Sequence, residues 1–92
     1  MATPHQALFY DYVENALEAR APYRDEHLAL VSRYVDEGSI AMAGALGSPP
    51  HGGLLIFRGD DPAPAERFVS EDPYVRGGVV TGWRVEPWTV VT

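Results

Sequence analysis

The first half of the chain passes from a strand pattern to a helical pattern. Residues 7–13 are rich in aromatic and β-branched side chains, which favours a strand with two largely apolar faces. Segment 14–21 has helical propensity, but Pro22 disfavours a helix at the residue before it and can itself begin a new helix. We therefore predict the main helix over residues 22–37, ended by Gly38. The two faces of the predicted strand carry Leu8, Tyr10 and Tyr12 on one side and Phe9, Asp11 and Val13 on the other.

The predicted main helix has an apolar stripe with a histidine beside it. Apolar residues recur along it at helical spacing and predict its buried side. These residues are Leu28, Val31, Tyr34 and Val35. His27 lies four residues before Val31 and seven before Tyr34, so its ring borders the stripe. A histidine there is either a packed core residue or a group poised for proton transfer.

A hairpin is predicted next. Residues 39–46 read as a second strand whose one face has only small side chains, and residues 54–58 read as a short apolar strand. The connection over residues 47–53 is rich in glycine and proline. It lacks the Lys-Ser/Thr ending and the strand-to-helix context of a phosphate-binding loop. We therefore interpret it as the loop of a hairpin.

The remaining residues predict one more helix and one more strand. A helix runs from Asp60, through a proline-tolerant first turn, to about Glu71. Residues 79–91 alternate as a fourth strand, which we expect Pro87 to break. The order strand, helix, strand, strand, helix, strand predicts an α+β, ferredoxin-like βαββαβ fold. Such a fold is a four-stranded antiparallel sheet with two helices on one face.

The face of the sheet away from the helices predicts self-association. Phe9, Val13 and the tryptophans of the last strand, Trp83 and Trp88, would leave an apolar patch too large for a monomer in water. We therefore expect two sheets to pack face to face in a homodimer.

Composition narrows the function classes. A chain of 92 residues with 46% hydrophobic residues is typical of one globular domain, here residues 1–92. Its net charge of -6, without a lysine or a basic run, argues against a nucleic-acid partner. The absence of cysteine excludes thiol chemistry. No apolar stretch approaches the ~20 residues of a membrane span, so we expect no membrane partner and a cytoplasmic location.

Spaced residues over nearly the whole chain resemble the YCII-related (YciI-like) family. They are Arg20, Arg24, His27, Gly38, Gly44, Gly53, Ala65, Asp72-Pro73-Tyr74, Gly78 and the closing Val85-Glu86-Pro87-Trp88. The resemblance implies a dimeric α+β barrel, related in fold to muconolactone isomerase and to small cofactor-free monooxygenases. It also implies an active-site pair, His27 and Asp72. The family's usual Asp-Pro-Phe is Asp-Pro-Tyr here, and the loop around Ser48 is short, so substrate contacts from that loop are not carried over.

The chemistry of the two residues fits the implied role. Imidazole titrates near neutral pH, which suits a general base in the cell. Asp72 is also placed to cap a helix that begins at Pro73. Both roles can coexist, because one carboxylate oxygen can accept backbone N–H groups while the other orients His27.

Further residues are candidates for binding a small molecule. Arg20 and Arg24 are solvated arginines by default, but a guanidinium can hold an anionic or enolate oxygen. Tyr10, Tyr12 and Tyr74 could line a pocket and hydrogen-bond a phenolic substrate, although aromatic residues on strands are more often core or dimer contacts. Tyr74 is the best candidate of the three, because it is close to Asp72 in the sequence. His5 and His51 would form a metal site only if the fold brought them to His27, so we expect no metal.

Two functions remain open. The favoured one is a small cofactor-independent enzyme in which His27, oriented by Asp72, moves a proton on a small cyclic or carbonyl compound, as a lyase or isomerase does. One relative resembles a dehydrochlorinase acting on a chlorinated hydroxyhydroquinone, and muconolactone isomerase illustrates the other type. The alternative is a non-catalytic dimeric module that binds a small ligand or serves as an accessory protein, because fold alone does not decide function.

Overall fold

A computed structural model describes residues 2–92 and contains four strands and four short helices. The strands are β1 (Thr3–Tyr12), β2 (Ile40–Leu46), β3 (Gly52–Arg58) and β4 (Val80–Val90). The helices are α1 (Ala16–Arg20), α2 (Arg24–Asp36), α3 (Ala63–Glu71) and α4 (Pro73–Arg76), with a 3₁₀ turn at Ala21–Tyr23. No helix of the described part is long and apolar enough to cross a membrane.

The sheet confirms the predicted ferredoxin-like fold. Its strand order is β2-β3-β1-β4, and all three neighbouring pairs are antiparallel. The hairpin of β2 and β3 is as predicted, and the helices pack on one face of the sheet. Leu8 is opposite Leu55 on one side and Val85 on the other. This row of side chains faces the helices, because it packs in the same core cluster as Leu30 and Phe68. Leu8 is fully buried.

Contacts between aromatic rings hold α2 and α3 against the sheet. Phe68 of α3 meets Tyr34 of α2 edge to face, with ring centroids 5.1 Å apart. It also meets Phe57 of β3, with centroids 5.9 Å apart. Edge-to-face pairs of this kind add about 0.5–1.5 kcal/mol beyond the burial of their area. Both helices are thereby fixed relative to the same central strand, which fixes the residues they carry.

The main helix starts later than predicted and buries a different side. Its first residue is Arg24, because Pro22 lies in the 3₁₀ turn that follows α1. The buried side is formed by His27, Leu30 and Tyr34. Leu28 and Val35, which were expected in the buried stripe, are 43% and 46% exposed. The prediction was wrong for these two because rows spaced at 27, 30 and 34 and at 28, 31 and 35 both fit a helical period, and tertiary contacts select the first.

The last strand is not broken at Pro87. β4 continues through it to Val90, with Pro87 opposite Gln6 of β1. β4 is an edge strand, so a residue that lacks an N–H costs no hydrogen bond to a further strand. β1 likewise begins earlier than predicted, at Thr3, and ends at Tyr12, so Val13 lies outside it.

The face opposite the helices carries two of the four apolar side chains predicted for it, Phe9 and Trp88. The register places Phe9 opposite Leu54, and Ile56 opposite Met42. Trp88 is opposite His5, in the next row on the same face. Trp83 is opposite Tyr10, whose side chain faces the helices, so its expected place on the uncovered face was wrong. A largely apolar surface remains without helices over it.

Candidate functional site

The structure brings together the two residues that lie far apart in sequence. His27 is in the first turn of α2, and Asp72 is the junction between α3 and α4. His27 Nδ1 and Asp72 Oδ1 are 2.8 Å apart. The residue Asp72 is 0% exposed and His27 is 8% exposed. The pair is therefore a buried contact between two helical elements.

Local sequence explains how Asp72 is held. The residue before a proline avoids the helical region, and Asp72 has extended backbone angles, φ -75° and ψ 120°, before Pro73. This ends α3 and lets Asp72 cap α4. Its Oδ1 accepts a hydrogen bond from the Tyr74 backbone N–H at 3.0 Å, so the predicted capping role is confirmed. The expected division of roles between the two oxygens was wrong, because the same Oδ1 also contacts His27.

Tyr10 completes the environment of the carboxylate. The Tyr10 hydroxyl donates to Asp72 Oδ2 at 2.8 Å. Burial, together with the nearby Asp72 charge, raises the pKa of Tyr10 well above its usual value, so the hydroxyl keeps its proton and remains a donor. Three donors, from Tyr10, Tyr74 and His27, thus converge on one carboxylate. An ionised carboxylate, which only accepts hydrogen bonds, matches that set.

This arrangement selects the state of the His27 ring. Since Asp72 accepts, Nδ1 is the nitrogen that carries the proton, and Nε2 of the neutral ring has a free lone pair. Within residues 2–92, no buried side-chain nitrogen or oxygen lacks a hydrogen-bond partner. His27 Nε2 makes no hydrogen bond to these residues, so it is an accessible atom. The ring therefore presents a base to whatever occupies the space beside it.

Two aromatic rings fix the plane of the imidazole. Tyr74 stacks on His27 with centroids 3.7 Å apart and an angle of 2° between the planes. Phe68 meets the His27 ring edge to face at 6.2 Å. With its Nδ1 bonded and its plane clamped, the ring has little freedom to turn, which keeps Nε2 in one direction.

His27 lines a cavity of about 180 Å³ between the helices and the sheet. With Nδ1 bonded to Asp72, Nε2 is the ring nitrogen left to face this cavity. The polar side chains at this cavity are Tyr12, Arg20, Arg24, His27 and Tyr74. Among residues 2–92, no acidic side chain lines it. Two guanidinium groups without an acidic neighbour in the lining make the cavity attractive to an anion, although the whole chain has a net charge of -6.

One wall of the cavity is formed by small residues. Ala43, Gly44 and Ala45 of β2 line it, together with apolar side chains from α2 and β3. The face of β2 that the sequence marked as small therefore provides space for a ligand. A concave space that combines small and apolar residues with a few polar groups is typical of a small-molecule site.

The predicted binding residues divide into two groups. Arg20, Arg24 and Tyr74 line the cavity, as their predicted role requires. Tyr10 does not line it, because its hydroxyl points to Asp72 and the residue is 2% exposed. Tyr12, the third tyrosine considered for contact with a phenolic substrate, does line the cavity. Its signal in the sequence was its shared strand face with Tyr10.

The other histidines have separate surroundings. The His5 ring is 6.4 Å from that of Trp88, and His51 packs against Gly47 in the hairpin loop. Within the described residues, no three His, Asp or Glu side chains are grouped as metal ligands.

One comparison with known proteins identifies a family. The sequence model of the YCII-related domain matches residues 6–89. No curated protein gives a significant match.

Solved structures share the fold at low sequence identity. One is the 5-chloro-2-hydroxyhydroquinone dehydrochlorinase of Burkholderia phenoliruptrix AC1100 in complex with 2,5-dihydroxybenzoquinone, with 20% identity and a TM-score of 0.74 over 91% of this chain and 92% of that chain. A dimeric ferredoxin-like protein from an uncultured marine organism has 17% identity and a TM-score of 0.54 over 100% and 90%. A Pseudomonas aeruginosa protein has 15% identity and a TM-score of 0.58 over 100% and 97%.

The three-donor set predicts unequal effects of two tyrosine hydroxyls on stability. Tyr10→Phe removes a donor from a buried carboxylate and should lower the free energy of unfolding by about 1–3 kcal/mol. Tyr74→Phe keeps the backbone N–H bond and the ring stack, so it should change stability by no more than about 0.5 kcal/mol. Urea unfolding measures both. A loss of less than about 0.5 kcal/mol for Tyr10→Phe would show that the Tyr10 hydroxyl does not support Asp72.

Proposed function

The chain belongs to the YCII-related family, and from this premise we propose that it is a small enzyme that uses His27 and Asp72 for general acid–base chemistry on a small cyclic or carbonyl compound. The observation that carries the proposal is the 2.8 Å contact between His27 Nδ1 and a fully buried Asp72 carboxylate, with Nε2 left free beside a cavity. A base held in one tautomer and one orientation is what proton transfer requires.

In the proposed reaction, His27 Nε2 removes a proton from a carbon next to a carbonyl group. The N–H bond forms as the C–H bond breaks, and the electron pair moves toward the carbonyl oxygen to give an enolate. Return of the proton to another carbon completes an isomerisation. Expulsion of a leaving group with the electron pair completes an elimination, so the reaction is of the lyase or isomerase type and needs no cofactor.

The other site residues have supporting roles in this proposal. Arg20 and Arg24 are positioned to attract the anion and to stabilise negative charge on its oxygen. Tyr74 holds the plane of the His27 ring and faces the ligand. Tyr10, which is behind Asp72, positions the carboxylate instead of binding the ligand.

The fold similarity to the dehydrochlorinase of Burkholderia phenoliruptrix AC1100 supports the elimination form of the reaction. Its name describes removal of hydrogen and chlorine from a hydroxylated ring, and its bound compound is a small quinone. At 20% sequence identity the similarity is evidence for a shared fold only. The proposed chemistry therefore rests on His27 and Asp72 of this chain. The alternative is a ligand-binding module without turnover, in which Nε2 only accepts a hydrogen bond from the ligand.

Replacement of the pair separates these two functions. His27→Ala should lower the rate on a turned-over compound by roughly 10²–10⁴-fold, because the base is removed. Asp72→Asn should lower the rate within the same range. The amide N–H of the introduced asparagine can donate a hydrogen bond to Nδ1, and the neutral ring then carries its proton on Nε2, which can no longer act as a base. His51→Ala is the control histidine, outside the cavity, and should retain the wild-type rate.

The measurement is a screen of halogenated hydroquinones, other hydroxylated aromatics and lactones for proton loss or halide release. If a compound is turned over equally well by wild type and His27→Ala, the proposed enzyme is wrong. Binding of such compounds without turnover by the wild type would favour the ligand-binding module.

We further propose that two copies pair through the sheet face opposite the helices. Phe9, Leu54, Ile56 and Trp88 surround an apolar groove there, and Met42 on the same face is 66% exposed. A solved protein of the same fold is described as dimeric. Packing of two such faces would remove this surface from water, at roughly 25 cal/mol for each Å² of apolar area.

Charge placed on that face should break the dimer. Met42→Glu should shift the protein to a monomer at micromolar concentration, because pairing would bury an unpaired carboxylate. Leu17→Glu is the matched control, since Leu17 is 52% exposed on α1 and lies on the helical side. Analytical ultracentrifugation reports the result. A wild-type monomer at micromolar concentration would overturn the proposed pairing.

A further inference from the structure

We propose that the Tyr12 hydroxyl is the hydrogen-bond donor for an ionised oxygen of the substrate, so that the cavity selects small planar rings carrying a phenolate or enolate oxygen. This inference rests on the proposed function, because it names the substrate class of the same cavity. It assigns Tyr12 a direct contact with the ligand, whereas Tyr10, its neighbour on the same strand face, acts on Asp72.

A glycine on the neighbouring strand makes room for the Tyr12 hydroxyl. A Cβ atom placed on Gly53 would be 3.0 Å from the Tyr12 hydroxyl oxygen and 3.5 Å from Cζ. The phenol end of Tyr12 therefore lies across Gly53. The register places Gly53 opposite Ala45, which lines the cavity. The side chain of Tyr12 therefore extends from β1 across β3 toward the small residues of β2.

The Tyr12 hydroxyl is free to donate to a ligand. It makes no hydrogen bond to the described residues, and it is not a buried unsatisfied atom among them, so it is accessible from the cavity. Burial raises the pKa of Tyr12 to about 12, while the charges of Arg20 and Arg24 act in the opposite direction. The phenol therefore keeps its proton at neutral pH and can donate it in a hydrogen bond.

The surroundings of this donor favour an anion of limited size. Arg20 and Arg24 line the same cavity, and no acidic residue is in its lining. Asp72, the nearest buried carboxylate, already accepts from three donors. A cavity of about 180 Å³ suits a single substituted ring, because a cavity of about 150 Å³ is enough for benzene. An enolate formed by His27 would place its negative charge near the hydrogen-bond donors of Tyr12, Arg20 and Arg24.

The test compares a phenolate with a neutral ring of similar shape. The probes are 4-nitrophenol, at a pH where it is mostly ionised, and nitrobenzene. Binding of the phenolate is followed by its visible absorbance, and binding of nitrobenzene by calorimetry. Wild type should prefer the phenolate. Tyr12→Phe should lose about 10-fold or more in phenolate affinity, as expected for a hydrogen bond to a charged group, and should bind nitrobenzene as wild type does.

Matched variants separate this contact from a loss of folding. Tyr23→Phe, a tyrosine outside the cavity lining, should bind both probes as wild type does. Gly53→Ala pushes a methyl group against the Tyr12 hydroxyl and should weaken phenolate binding about 3-fold, with no further loss when combined with Tyr12→Phe. Circular dichroism checks that each variant is folded.

The outcomes distinguish this inference from the proposed function. Equal phenolate affinity in wild type and Tyr12→Phe overturns the inference, and so does a wild type without preference for the phenolate. A Tyr12-dependent preference in a protein whose turnover does not depend on His27 would leave the inference standing and the proposed enzyme overturned.

Discussion

The burial of one carboxylate organises the site. A charged group removed from water costs several kcal/mol unless it is fully hydrogen-bonded. Asp72 is 0% exposed, and its donors come from three separate elements: Tyr10 on β1, His27 on α2 and the Tyr74 backbone on α4. The charge therefore requires these elements to be in place together. The same requirement that stabilises the fold around Asp72 also fixes the tautomer and direction of the His27 ring.

The rest of the architecture serves this geometry. Phe68 ties α3 to α2 and to the sheet, and it also touches the His27 ring, so core packing and site orientation share a residue. The sheet adds the cavity itself, because β2 contributes only small residues to its wall. Alternation along β1 then gives two tyrosines on one face different tasks. The Tyr10 hydroxyl donates a hydrogen bond to the Asp72 carboxylate, and Tyr12 lines the cavity.

Sequence patterns predicted the fold and the cap at Asp72, because alternation, proline placement and helix-capping chemistry are local. The pairing of His27 with Asp72, 45 positions apart, came instead from the resemblance to the YCII-related family. The patterns did not predict the buried side of α2, since two rows of residues fit the helical period and only tertiary contacts bury the row of His27, Leu30 and Tyr34. The partner of the Tyr10 hydroxyl was also beyond local reasoning, as 62 positions separate it from Asp72. Pro87 was misjudged because a break depends on whether a strand is at the edge, which is a property of the whole sheet.

The central claim is that Asp72 holds His27 with its proton on Nδ1 and a free base at Nε2. ¹⁵N NMR of the His27 ring, recorded at a pH where the ring is neutral, tests this directly. We predict a protonated Nδ1 and an unprotonated Nε2 in the wild type, and loss of that preference in Asp72→Asn. A proton on Nε2 in the wild type, or an identical tautomer in the two proteins, would contradict the account.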